Sequence, residues 1–226
     1  VTLPPHINYI GHNTFSGCRS LRSVMGPTSS NESCHNFSSL LRRASLTVDF
    51  IELIIRLHPE QLKEVDADGN LPLHIAAASS TFTSINKTLI VKELLDAYPE
   101  GAKVRNNEGN LPLHLRSSSK GNVDDFDMLL AEYPDAVKIP NNYGKLPLFM
   151  ALEVQMQWYD GVEELVNAFP AVTVKTDIAT NLFPFMTAAS KETGSCLDSV
   201  YSLLRACPEM NLFYRTKAKK DNQKPT

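Results

Sequence analysis

The stretch GNLPLH at Gly69–His74 recurs letter for letter at Gly109–His114, and a near-copy, GKLPLF, occupies Gly144–Phe149. Either the two histidines belong to an active site, or the six letters punctuate a structural repeat. Working outward favours the repeat, which is the first thing to look for in any chain, because a missed repeat misreads the whole fold. Pro72, Pro112 and Pro147 each follow another proline, Pro59, Pro99 and Pro134, by thirteen residues. A fourth interval, Pro170 to Pro184, is fourteen and reads NLFPF at its end.

Ahead of each upstream proline lies one pattern: IELIIRLHP (51–59), VKELLDAYP (91–99), FDMLLAEYP (126–134), VEELVNAFP (162–170) and VYSLLRACP (200–208). Successive prolines are separated by 40, 35, 36 and 38 residues. Apolar residues at i, i+3, i+4 and i+7 make one stripe of an amphipathic helix. Proline ends it, because the ring disfavours helical geometry in the residue before it and has no N–H to donate. Between the prolines lie polar turns, in which Gly69, Gly109 and Gly144 are suited to positive φ. Asp66, Asn106 and Asn141, each three residues earlier, are suited to Asx turns. Asn181 stands in the fourth glycine's place, and Asn is the next most tolerant residue there. Proline near the first helical position then opens a new helix. The spacing predicts a unit of turn, short helix, loop, second helix and proline stop. Two such helices cannot bury their stripes alone, so units must stack.

This pattern resembles the ankyrin repeat, whose helix-opening signature is G-x-T-P-L-H, and the Val-Leu-Leu of the second helix falls on that family's core positions. The resemblance spans 37–214 in about five copies, of which the first and last are incomplete and read as caps. It implies a mostly α fold, an α-solenoid of helical hairpins. Leu71, Leu111 and Leu146 depart from the family's Thr and give up a hydroxyl cap that is typically worth about 1 kcal/mol. YPEGAK and YPDAVK stand where the family has G-A-D-V-N. The spacing also exceeds the family's roughly 33 residues, with the surplus expected between the two helices, as in SSTFTSIN (79–86).

The first thirty residues read differently. VTLP and VMGP enclose INYIGHNTFSGCRSLRSV, in which Ile7, Ile10, Gly11, Phe15, Cys18, Leu21 and Val24 resemble one leucine-rich repeat of the type found in bacterial and protist surface proteins. That resemblance implies a short β-containing segment at 1–27, with further such repeats expected upstream of Val1, since the chain begins inside the pattern without an initiator Met. A Ser/Asn-rich stretch at 28–36 reads as the linker, and 215–226 as a disordered basic tail.

Composition narrows the class further. The chain has 226 residues, 42% hydrophobic and 21% charged, and its 22 Lys plus Arg against 25 Asp plus Glu leave a net charge of -3. This describes a globular domain with no overall field for nucleic acid or anionic lipid. No apolar run approaches the roughly 18 to 20 residues that span a bilayer. Four cysteines without a CxxC pair fit a reducing compartment, and the expected location is cytoplasmic, with the nucleus as the alternative. Sequons occur at Asn31, Asn36 and Asn86, but nothing else in the sequence suggests secretion.

His74 and His114 occupy equivalent positions of separate repeats, and the third copy has Phe149 instead. No acid or cysteine recurs beside them, as a metal or proton-transfer site would require. In the ankyrin family this histidine bonds backbone groups of the adjacent turn, and the resemblance implies the same here. Cys18, Cys34, His6, His12 and His35 are zinc-ligand types at spacings that fit no closed finger. Cys196 and Cys207 read as small buried hydrophobes. No phosphate loop, nucleophile elbow, zinc-protease or dinucleotide motif occurs, so neither catalysis nor a cofactor nor a small-molecule substrate is expected. The resemblance implies instead a non-catalytic interaction scaffold or adaptor. It is expected to be monomeric and to bind a protein partner through first helices and turn tips: Asp66, Asp68, Asn106, Asn107, Glu108, Asn141, Asn142 and Tyr143. Two competing readings are an accessory arm of a larger enzyme or receptor, with its working domain upstream of Val1, and nucleic-acid binding through the lysines of 217–224, which would collapse with salt.

Overall fold

The computed structural model describes residues 37–42, 48–79, 84–119, 124–190 and 197–207. The leucine-rich reading of 1–27, the linker 28–36, the tail 215–226 and every cysteine except Cys207 lie outside them. The protein is mostly helical, and no strand occurs among the described residues.

Helices follow one another in pairs: α1 (Phe37–Leu41) and α2 (Val48–Leu57), α3 (Pro72–Ala78) and α4 (Ser84–Ala97), α5 (Pro112–Ser117) and α6 (Asp124–Glu132), α7 (Pro147–Glu153) and α8 (Val162–Ala168), α9 (Pro184–Ala189) and α10 (Leu197–Ala206). First helices pack in a row, α1 on α3, α3 on α5, α5 on α7 and α7 on α9. Second helices form a parallel row, α2 on α4, α4 on α6 and α6 on α8. The stripes read from the sequence face inward: Ile51 and Ile54, Val91, Leu94 and Leu95, Phe126 and Leu129, Val162, Leu165 and Val166, and Leu203 are all buried. One apolar cluster runs from Phe37 to Leu203. Cys207 is buried, as a small apolar filler would be.

Pro59, Pro99, Pro134 and Pro170 do more than stop helices. Each opens a five-residue 3-10 turn, Pro59–Lys63, Pro99–Lys103, Pro134–Lys138 and Pro170–Val174. Proline's fixed φ suits the first helical position, where its missing N–H leaves nothing unsatisfied. Leu62, Ala102, Val137 and Val172 in these turns are buried. YPEGAK and YPDAVK therefore add core contacts of their own. The surplus length is not simply loop, as expected from SSTFTSIN: Ser84 to Asn86 belong to α4, and in the fourth pair Trp158–Asp160 forms another 3-10 turn.

The leucines that stand where the resemblance expects threonine also have a physical reason. The N–H that a threonine hydroxyl would accept, on His74, His114 or Phe149, already donates to the backbone carbonyl of Leu71, Leu111 or Leu146 at 3.0, 2.9 and 3.1 Å. All three leucines are buried. Burying a leucine is typically worth about 1.5–3 kcal/mol, more than the cap it displaces.

Candidate interaction edge

The turns that join each pair to the next lie along one edge of the stack. Gly69, Gly109 and Gly144 have φ of 77°, 76° and 77°, and Asn181 takes their role at 55°. The Asx turns form as well: the N–H groups of Asp68, Glu108 and Tyr143 donate to Oδ1 of Asp66, Asn106 and Asn141 at 3.0, 3.1 and 3.0 Å.

What neighbouring turns do to one another was not visible in the sequence. The Asn106 side chain donates from Nδ2 to Asn70 Oδ1 in the turn before it, at 2.9 Å, and Asn141 repeats this to Asn110 Oδ1 at 2.8 Å. Asn106 and Asn141 are buried. The expectation that they project from the tip is corrected: each carboxamide caps its own turn with Oδ1 and reaches into the preceding unit with Nδ2, which turns it inward. The next residue forms an outer rung. Asn107 N–H donates to the Asp68 carbonyl at 3.0 Å and Asn107 Nδ2 to the Ala67 carbonyl at 3.1 Å. Asn142 does the same to the Glu108 and Asn107 carbonyls, at 2.9 and 3.0 Å. The turns are thus cross-linked by a ladder whose bonds each contribute on the order of 1 kcal/mol. The glycines are needed for a second reason here, since a Cβ on Gly109 would lie 2.3 Å from Asn142 Oδ1.

His74 belongs to this ladder, and His114 repeats the local half of its bonding. The Leu71 N–H donates to His74 Nδ1 at 3.2 Å, so the ring proton sits on Nε2, which donates to the Asn110 carbonyl of the next unit at 3.1 Å. Leu111 N–H likewise donates to His114 Nδ1 at 3.1 Å. His114 Nε2 faces the Lys145 and Ile139 carbonyls, short of hydrogen-bond geometry. Burial pushes both imidazoles down to about 4, against the weaker upward pull of those carbonyls. Both are interior groups, neutral above mildly acidic pH, and His74 links its turn to the next. Among the described residues no His, Cys, Asp and Glu group is placed to hold a metal ion.

Of the remaining tip residues, Asp66 is half-buried. Burial raises its pKa, but bonds from the Asn70 N–H, Arg42, the Asn70 amide and the Asp68 N–H outweigh that and hold the carboxyl below the ordinary range. Asp68, Glu108 and Tyr143 occupy the same place in successive turns, and all three are exposed. Tyr143 is 62% accessible, and Ile178, which the sequence reading did not single out, is 75% accessible on the fourth turn. Ile178 is a sequence-visible anomaly, an isoleucine where the two preceding turns carry asparagine.

Opposite this edge, between the helices of the second and third pairs, lies a buried ionic cluster that the sequence reading missed. Asp125, fully buried, is 3.4 Å from Arg116 Nε and 3.9 Å from Lys87 Nζ, and its Oδ1 accepts from Thr88 Oγ1 at 2.8 Å. Arg116 also lies over the Phe126 ring at 4.2 Å and donates to the Ser119 carbonyl at 2.7 Å. Ser119 Oγ accepts from Lys87 and donates to the Ala77 carbonyl of the preceding pair. Burial, and then the neighbouring Arg116 charge, push Lys87 down to about 8 despite Asp125. No residue spacing marks this cluster, because its members come from four helices and the loops between them.

No model of a known protein family and no curated protein sequence matches the chain. Among the described residues, no helix is long and apolar enough to cross a membrane.

Proposed function

We propose that this chain is a divergent ankyrin-like solenoid that acts as a non-catalytic scaffold, binding a protein partner along its turn edge. One observation carries the reading. In each turn the residues that hold the edge together are directed inward or along the stack. The one place left outward is occupied in succession by Asp68, Glu108 and Tyr143, two carboxylates of different reach and then a phenol on a repeated frame. A rigid frame with a varied outward column can recognise a partner without the ordering cost that a mobile loop incurs on binding. Asn107 and Asn142 contribute mainly by holding that column in register, and Asn106 and Asn141 act from the interior.

Tyr143 is the anchor, since exposed aromatic side chains supply the largest gain when a partner covers them. The test is affinity capture with the whole chain, followed by Tyr143→Ala and Glu108→Ala, with circular dichroism to verify folding. A partner that binds the wild type and is lost at least tenfold with Tyr143→Ala supports the edge. Partners retained equally by both variants would rule it out and move attention to the first-helix face.

A further inference from the structure

The ladder that ties the turns together stops before the stack does. Between the first and second turns, the Asn106 amide, both donors of Asn107 and the imidazole of His74 cross the junction. Asn141 and Asn142 cross the next one. At the third and fourth turns, every one of these positions has changed. Phe149 replaces the histidine and Lys145 the accepting asparagine, with its ammonium paired instead to Glu153. Asp177 replaces Asn106 and Asn141, and a carboxylate has no N–H to send back. Its Oδ2 accepts from Thr180 N–H and Oγ1 at 3.0 and 2.8 Å, while its buried Oδ1 has no partner. Ile178 stands in the Asn107 and Asn142 column, its δ-methyl carbon set against Gly144. Among the described residues, no hydrogen bond joins the fourth turn to the third.

We propose that this junction is a hinge: the last unit, 170–190 with 197–207, opens from the stack as a block while the preceding units stay folded. In a stack, each unit is held only by its own stability and by its interface with a neighbour, so the junction lacking cross-links opens first. Apolar contact between α7 and α9 remains, but it is non-directional and does not fix the register of the two turns. Opening uncovers the side of α7 that α9 covers and the Trp158–Asp160 turn against which α10 packs. The device depends on the ladder's geometry alone and stands whether or not the turn edge binds a partner.

The experiment is hydrogen exchange of the full chain, read by mass spectrometry. Wild-type peptides covering 184–206 are expected to exchange at least tenfold faster than those covering 112–132, in one cooperative phase. The variant Lys145→Asn/Asp177→Asn/Ile178→Asn, which rewrites the earlier ladder at this junction, should slow 184–206 at least tenfold and leave 112–132 unchanged. The reciprocal change, Asn142→Ile, breaks the preceding junction. It should bring 147–168 into the fast phase, which keeps the test decisive if the triple variant does not fold. Exchange of 184–206 in step with 112–132, or a fast phase that neither variant moves, would overturn the hinge.

Discussion

Acid should weaken this fold through two named imidazoles. In the folded protein His74 and His114 are pushed down to about 4, against an unfolded value near 6.5. The structural cause is specific: Nδ1 of each ring accepts a leucine N–H, and protonation turns that acceptor into a donor facing a donor. Between pH 4 and 6.5 the unfolded chain binds more protons than the folded one, so stability rises with pH across that window. The contribution is complete above about pH 6.5 and is lost as pH falls towards 4. At 1.36 kcal/mol per pKa unit, the full window is worth about 3 kcal/mol per histidine, and by pH 5 about 2 kcal/mol of each is gone. The control is written into the chain, since Phe149 fills the equivalent place in the next unit. Urea unfolding of the wild type and of His74→Phe/His114→Phe, followed by circular dichroism at pH 7 and pH 5, isolates the effect. The wild type should lose about 4 kcal/mol more than the variant over this interval. Equal pH dependence in the two proteins would refute the assignment of the imidazoles as buried, neutral acceptors.

Two further outcomes follow from the packing. Gly109→Ala places a Cβ against the Asn142 side chain at a φ of 76°, and should cost about 2 kcal/mol or more in urea unfolding, whereas an alanine in an exposed helical position costs nothing of the kind. Asp125→Asn strips the carboxylate that lies between two buried cations and should cost about 3–5 kcal/mol, while Lys87→Met should be neutral or stabilising. Because Lys87 is pushed down to about 8 from 10.5, the unfolded state binds more protons between those values. Wild-type stability should therefore rise across that alkaline window, and the rise should vanish in Lys87→Met.

The local grammar was legible because its causes are local. A positive φ calls for Gly or Asn within one residue, an Asx turn closes within four, and a proline acts on the residue before it, so Gly69, Asn181, Asp66 and Pro72 could be placed from the letters. The 3-10 turns were missed because a proline that stops one helix and a proline that opens another look alike in sequence. The polar tips were the least legible part. Asn106 and Asn107 are adjacent and chemically identical, yet one is buried and the other exposed.

By itself, then, the sequence determined the repeating unit, its stripes and its turns, since each is set by contacts among near neighbours in the chain. Only the tertiary structure decided which asparagines face inward, that His74 links its turn to the next, that three charges share one buried cluster and that the ladder ends before the fourth turn. The bonds that cross from one unit to the next join residues 31 to 42 apart, and whether a side chain finds a partner across that gap depends on the register of two stacked units.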